Sequence, residues 1–396
     1  MEDVAGEFLP GAGEPGLVSV VIPTYNRAGL IGAAIESVLA QSYRPLEIIV
    51  VDDGSKDHTR EVVEAYGHPV RYVHKQNGGV AAARNTGFRH ARGEFIALLD
   101  SDDAWHPWKL EAQVRVLEQF PDVGMVSTDM TATNEQGDVL YDRYLRIFYD
   151  AHEQARIGEV CERIDGLAEI WPEAPAAVSN AAILKGDIFS RILLGNLVHT
   201  STLLVRRSRL RDAGEIDIEF TPRGEDYEFH VRICSHGPVA LIEAPSTLYR
   251  IGAADQLTAR HMAIHSARSN LAIVQRWLHR GKDRITLSRR AIHDRLAFSH
   301  HWVGEAEMLF GDWSKARSHL WKSLCYRPMV GKALLLFVFS NMPAPAYRAA
   351  LRLKKALRRA RRLAFGVPVA TQQIALVFGE EFAAITDTLL LASWAI

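Results

Sequence analysis

Hydrophobic positions in the first third of the chain alternate between two periods. Val18 to Ile22 is a β-branched run that stops at Pro23, and Ile31, Ala34, Ile35, Val38 and Leu39 then recur at helical spacing. This predicts a strand followed by an amphipathic helix. The unit repeats: Glu47 to Val51 precedes Asp52-Asp53-Gly54-Ser55 and a helix marked by Val62, Val63 and Tyr66, and Val70 to Val73 precedes a glycine turn and a helix from Val80 to Ala91. A fourth strand, Phe95 to Leu99, is followed by a helix with Leu110, Val114 and Leu117 and by a strand from Val123 to Ser127. Strands alternating with helices over short connections imply an α/β fold with a mostly parallel, doubly wound sheet covered on both faces.

Past residue 128 the alternation weakens. A hairpin is expected around Asn134 to Gly137, then a long irregular segment from Tyr141 to Leu194, a strand-like Thr200 to Val205, a helix after Gly224-Glu225-Asp226, and strands near Val239 to Ile242 and Thr247 to Arg250. From about Asp255 the pattern is helical throughout, so the domain boundary is expected at residues 252–256. Ligands of such sheets bind beyond the carboxyl ends of the strands. Thr24-Tyr25-Asn26, Asp52-Asp53 and Asp100-Ser101-Asp102-Asp103 all lie at such ends, which assigns them to one crevice.

Composition narrows the function classes. The 396 residues are 48% apolar and 23% charged with a net charge of -1, which argues against a general nucleic-acid binder. Cys161, Cys234 and Cys325 are far apart and suggest neither a disulfide framework nor a zinc site. Residues 1–16 contain Glu2, Asp3, Glu7 and Glu14 without a basic region, so they read as a disordered leader rather than a secretory signal. No run approaches the roughly 18 to 20 apolar residues of a membrane-spanning helix, and a cytoplasmic location is expected.

The acids at the end of the fourth strand invite chemistry. Three carboxylates at the mouth of a core strand repel one another, and a hard divalent cation clamping a phosphate-bearing ligand would relieve this. A solvated loop closing a strand is the alternative. Neither a Gly-x-Gly-x-x-Gly turn nor a Gly-x-x-x-x-Gly-Lys-Ser/Thr loop is present, which counts against dehydrogenases and P-loop enzymes. Five segments, Val-Val-Ile-Pro-Thr-Tyr-Asn-Arg (20–27), Val-Val-Asp-Asp-Gly-Ser (50–55), Asn-Gly-Gly-Val-Ala-Ala-Ala-Arg-Asn (77–85), Leu-Asp-Ser-Asp-Asp (99–103) and Gly-Glu-Asp (224–226), occur in an order that resembles family 2 glycosyltransferases of the GT-A fold. The resemblance spans residues 17 to about 250 and delimits a catalytic domain at 17–252 and a helical extension at 253–396.

The resemblance implies roles for single residues. Pro23, Thr24 and Tyr25 line the nucleotide base, Asp53 accepts a hydrogen bond from it, and Arg84 approaches the base or diphosphate. Asp100 and Asp102 form the Asp-x-Asp pair for ribose and metal, with Asp102 the ligand of Mg²⁺ or Mn²⁺ and Asp103 secondary. Asp226 is the catalytic base and Glu225 its support. Sugar transfer passes through an oxocarbenium-like state. No candidate nucleophile for a retaining route is evident, so inversion is expected. The implied reaction moves a sugar from a nucleotide-diphosphate donor, a UDP-sugar, to a hydroxyl of a glycan or lipid-linked acceptor in cell-surface polysaccharide synthesis. A catalytically inactive sugar-nucleotide or glycan-binding protein on the same fold is the alternative. One departure stands out: Tyr249-Arg250 is followed by Ile251-Gly252, where many relatives place a histidine at the second position that can contact metal or diphosphate. His199 is expected to be a packed structural residue.

In the helical extension, Trp302 to Pro328 is similar to a single tetratricopeptide-like helix pair, which must pack on another surface because one such unit cannot bury its own face. His293, His300 and His301 are assigned no metal. Leu334 to Phe339 is apolar, and Tyr347 to Arg362 holds eight arginines and lysines without an acid. A basic amphipathic helix of this kind predicts peripheral contact with the inner face of a membrane through residues 333–365, against a solvated helix on a partner or nucleic acid. Residues 366–396 receive no function.

Overall fold

The computed structural model describes residues 8–149, 151–221, 223–252, 262–328 and 332–341. The alternation read from the sequence is realised as β1 (Glu14–Thr24), α1 (Ile31–Leu39), β2 (Leu46–Asp52), α2 (Thr59–Glu64), β3 (Val70–His74), α3 (Val80–His90) and β4 (Gly93–Leu98). These four strands pair in parallel in the order β3-β2-β1-β4. Every residue of β2 is buried, as expected where helices cover both faces and the strand becomes a continuous apolar run. Residues 8–16, expected to form a leader, contain the start of β1, a buried Leu9, and a backbone amide, Gly16, that donates to Glu94 at 2.9 Å.

Beyond β4 come β5 (Ala104–Trp105), α4 (Lys109–Gln119), β6 (Met125–Thr133) and β7 (Val139–Tyr141), the last folding back on β6 in the expected hairpin. The segment expected to be irregular holds α5 (Leu145–Phe148), α6 (Ala151–Ala155), β8 (Cys161–Ile164), β9 (Ile183–Gly186) and α7 (Phe189–Ile192). Strands of four residues show too few alternations for a period to emerge from sequence. They extend the sheet antiparallel, β8 on β9 and β9 on β11 (Val239–Arg250). Between them in sequence lie β10 (Leu204–Arg206), α8 (Arg207–Ala213) and α9 (Glu225–Cys234). The two strands expected near 239–242 and 247–250 are one, β11, whose pairing with β6 shifts register around Pro245. β10 lies antiparallel between β4 and β6 and so brings residues near 200 beside the acidic strand end. The α/β class is the expected one, with a parallel half from β3 to β4 and a mixed half beyond it, in which β6 and β11 pair in parallel while β10, β9 and β8 run antiparallel to their neighbours.

The helices α10 (Ala263–Arg280), α11 (Arg289–Phe310), α12 (Trp313–Tyr326) and α13 (Lys332–Ser340) follow. The described residues divide into two compact units: one holds everything up to 252 together with 272–288, the other holds 262–271 and the residues from 289 onward. In the first unit Arg276 donates to Asp217 at 2.7 Å and to Glu219 at 2.6 Å, and the ring of Trp277 meets that of Phe189 edge-on at 5.9 Å. These contacts explain why part of the helical region belongs with the sheet. In the second unit α11 and α12 lie against each other, with Ser323 donating to the Ala297 carbonyl at 2.7 Å and Leu320 packed at Gly304. The apolar block 334–339 lies within α13, whereas the basic segment 347–362 and the final 366–396 lie outside the described residues. No described helix is long and apolar enough to cross a membrane.

Gly87 sets how closely α3 approaches β1. A Cβ there would meet Val21 Cγ1 at 2.2 Å. Helix propensity alone would make Gly87→Ala stabilising by about 1 kcal/mol. Forcing a methyl into a filled core costs roughly 1 to 3 kcal/mol, and here the clash is with a β-branched side chain whose χ1 is restricted. Gly87→Ala should therefore lower the urea midpoint of the sheet-bearing unit, and an unchanged or raised midpoint would contradict this packing.

Candidate active site

The loops after β1 and β2 are tied together before any ligand enters. Thr24 pairs with Asp52 in the parallel register, and the Asp53 amide donates to the Thr24 carbonyl at 2.9 Å. Asn26 donates from its backbone to Ser55 and accepts from the Lys56 amide, both at 2.8 Å. Asp52 serves the turn: it accepts from the Ser55 amide at 2.8 Å and from Tyr72 at 2.6 Å. Asp53 points the other way. Its buried carboxylate accepts from the backbone amides of Gly78 and Gly79, at 2.9 and 2.7 Å, and from Lys75 at 2.7 Å. Gly79 opens α3 at φ +87°, a conformation that suits glycine, and an acid at this helix start is favoured. Of the three residues expected to line a base, Pro23 and Thr24 end β1 and Tyr25 is exposed.

One and a half turns into the same helix, Arg84 gathers three motifs. The buried guanidinium donates through Nη2 to Asp100 at 2.7 Å, and its Nη1 lies 3.6 Å from Glu225. Burial works against its charge, but Asp100, Glu225 and Asp226 outweigh that and raise its proton affinity. Burial likewise favours the neutral form of Asp100, and Arg84 reverses this to hold the carboxyl below its usual range. Glu225 is pushed up to about 7, by burial first and by Asp226 second. Arg84 Nε and Nη1, Glu225 Oε2 and Thr24 Oγ1 are buried without hydrogen-bond partners among the described residues. Sites that keep such groups unpaired generally do so for a ligand or an ordered water.

The acidic strand end is held by a residue that no motif announces. Ser201 Oγ donates to Asp103 at 2.6 Å and accepts from the Asp100 amide at 3.1 Å, while its carbonyl accepts from Trp105 Nε1 at 2.7 Å and Thr247 at 3.1 Å. It lies in a turn of 3-10 helix, Thr200–Thr202, ahead of β10. Asp103 is thus spent on structure; burial, then Asp102 and Asp100, push its carboxyl well up. Asp102 is partly exposed, and its carbonyl accepts from Arg250 at 3.3 Å. Gly252, the position where the resemblance implies a histidine, stands at φ +101°.

No group of three or more His, Cys, Asp or Glu side chains suited to a metal occurs among the described residues. Mg²⁺ at a nucleotide site needs only one or two carboxylates, with water and phosphate oxygens completing the shell. The hard oxygen donors of Asp102 and Asp100 fit that habit.

Gly224, at φ +111°, turns the chain into α9, whose first turn bears Glu225 and Asp226. The Asp226 charge acts on Tyr149, His199 and His230. His199 is buried as expected, with its ring edge-on to Tyr249 at 4.8 Å and its proton affinity lowered by burial. No motif in the sequence singles out His230, although its four-residue spacing from Asp226 places both on one helical face.

Residues 19–174 match the family model described as Glycosyl transferase family 2. An uncharacterised glycosyltransferase of Rickettsia felis is 32% identical over 230 residues, covering 58% of this chain and 33% of that protein. A protein of Escherichia coli named UDP-Glc:alpha-D-GlcNAc-diphosphoundecaprenol beta-1,3-glucosyltransferase WfgD is 44% identical over 103 residues, covering 26% of this chain and 41% of that one. The chain thus spans about a third of the length of the Rickettsia relative it matches. The crystal structure of S. aureus TarS 1-349 is similar with a TM-score of 0.49 and 16% identity, over 78% of this chain and 81% of that one. Residues 19–174, within the sheet-bearing part of the chain, are thus similar to glycosyl transferase family 2.

Proposed function

We propose that the chain transfers a sugar from a nucleoside-diphosphate donor, a UDP-sugar, to a hydroxyl of a glycan or lipid-linked acceptor, with inversion at the anomeric carbon. The observation that carries this reading is the buried Arg84, set between Asp100 at 2.7 Å and Glu225 at 3.6 Å. It joins the strand-end acids, suited to donor and cation, to the helix-start acids, suited to proton chemistry. WfgD, by its name a UDP-Glc-dependent enzyme with a lipid-linked diphosphate acceptor, supports the choice of donor, acceptor class and surface-polysaccharide setting. Contact with the inner face of a membrane through residues 333–365 belongs to the same reading and rests on composition alone.

The residues divide the work in this scheme. Asp53, fixed by two backbone amides, accepts from an N–H of the base. Asp100, oriented by Arg84, accepts from the ribose hydroxyls. Asp102, with Asp100, would hold Mg²⁺ or Mn²⁺, which when bound supplies Lewis-acid neutralisation of the leaving diphosphate. Asp226 takes the proton of the acceptor hydroxyl as its oxygen bonds to the anomeric carbon and the bond to the diphosphate breaks. The attack comes from the face opposite the leaving group, hence inversion.

Asp226→Asn should lower transfer by roughly 10² to 10⁴ fold, the usual worth of a positioned general base, while leaving nucleotide binding intact. Transfer that survives the substitution would remove Asp226 from the mechanism. UDP with Mn²⁺ should raise the melting temperature of the wild-type chain; if no nucleoside diphosphate does so with Mg²⁺ or Mn²⁺, the donor reading fails.

The Glu225 carboxyl makes a separate prediction. Its value rises from 4.5 to about 7 on folding, so the folded chain binds this proton more tightly than the unfolded one. Its contribution to stability is complete below pH 4.5 and is lost as pH rises through about 7. Glutamine resembles the protonated acid and has no proton to lose. The melting temperature of Glu225→Gln minus that of wild type should therefore increase from acid to neutral pH, and a difference that is flat or decreasing would show that Glu225 is not held in this way.

A further inference from the structure

The proton on His230 can be located by elimination. The Val198 amide donates to Asn196 Oδ1 at 3.3 Å, and since a backbone N–H can only donate, that atom is the amide oxygen. His230 Nδ1 lies 3.2 Å from the same oxygen and must itself donate. A neutral imidazole has one hydrogen, so Nε2 presents a bare lone pair. That nitrogen is buried and has no hydrogen-bond partner among the described residues. The ring is wholly buried, and burial pushes its proton affinity down to about 4, so it stays neutral at physiological pH. His199 has the opposite arrangement: its Nδ1 accepts from the Ser201 amide at 3.4 Å, which leaves the hydrogen on Nε2.

Asp226 lies one turn before His230 on α9, and its charge acts on the ring more strongly than those of His199, Arg84 or Asp100. Residues four apart on a helix lie within side-chain reach of each other, and a lone pair brought to a carboxylate gains nothing while the acid is ionised. Once the acid holds a proton, the same lone pair becomes its partner. We propose that His230 is a positioning residue whose Nε2 accepts a hydrogen bond from the protonated Asp226 formed when the acceptor hydroxyl gives up its proton. The inference rests on Asp226 being the base. The proton moves from the hydroxyl oxygen to an Asp226 oxygen and stays there; the imidazole remains neutral. The other groups around Asp226 are less suited to accept this hydrogen bond. Arg84 is a donor only, Tyr149 offers a hydroxyl, His199 has its acceptor nitrogen engaged, and Glu225 is itself drawn to Arg84. The bond exists only after the proton has arrived, so it lowers the barrier without strengthening donor binding.

Two measurements on the full-length chain test this. Nitrogen-15 NMR of histidine-labelled protein, with His230 assigned by difference from His230→Gln, should show a neutral ring protonated on Nδ1 at neutral pH. An Nε2–H ring or a charged ring overturns the proposal. Release of UDP from UDP-glucose with Mn²⁺ should then show kcat lowered about tenfold in His230→Leu with KM changed less than about twofold, the pattern of an interaction made only in the transition state. His230→Gln, whose amide oxygen can accept, should restore most of the rate. A loss confined to KM, or a glutamine variant as slow as the leucine variant, overturns the proposal. If Asp226→Asn keeps its turnover, the base assignment fails instead, and the tautomer measurement still reports on Nε2 independently.

Discussion

A buried guanidinium between two carboxylates is the constraint on which the rest of the site depends. Taking Arg84 out of water costs several kcal/mol unless acids and hydrogen bonds compensate. Asp100 supplies one close partner, and Glu225 stands at the longer distance of 3.6 Å. The compensation is uneven, since Arg84 Nε, Arg84 Nη1 and Glu225 Oε2 remain buried and unpaired among the described residues. A purely structural ion pair would be expected to close these gaps, because a half-satisfied polar network is less favourable than an apolar one. Residual valence at the meeting point of the strand-end and helix-start acids is what a ligand site requires.

Around that pair, a buried polar network does the positioning. Lys109 is buried against the face of Trp105 at 4.0 Å and donates to Gln113 at 2.7 Å. Gln113 in turn donates to the carbonyls of Val126 and Thr202, at 2.9 and 2.8 Å. Burial pushes the Lys109 amine well down from its usual range. The network fixes Thr202, and hence its neighbour Ser201, which in turn holds the Asp100 amide and the Asp103 carboxylate. The acidic strand end therefore owes its shape to antiparallel strand β10 as much as to its own parallel strand.

This division explains what could be read from the chain alone. The alternation of periods in residues 18–127 yields the parallel half directly, because those strands run to at least five residues, are separated by helices and, β3 apart, are mostly buried. Arg84, Asp100, Glu225 and Asp226 were legible because they stand in contiguous motifs, and the fold brings the first three together. Ser201 and His230 were not, since each acts on a group it reaches through space: Ser201 on an acid 98 positions away, His230 through a tautomer set by Asn196. The four-residue strands β8 and β9 escaped for a different reason. They are too short to express a period and take their conformation from β11.

The arrangement of charge follows from the same geometry. Asp100 is held ionised by Arg84, Asp103 is pushed toward its neutral form, and Glu225 sits near neutrality. Carboxyls this close in a low-dielectric crevice cannot all be ionised cheaply, and their separation into ionised and neutral members is the arrangement that general acid–base chemistry exploits. The two buried histidines add no charge to the balance, since burial lowers the proton affinity of both. They differ in what they present, an N–H on His199 and a lone pair on His230, because each is locked by a backbone amide directly or through Asn196. A crevice so built can gain or lose a proton on one acid without disturbing the pairing of the others. The proposed sugar transfer needs this, since one set of acids would hold the donor with its cation while another takes the proton of the hydroxyl.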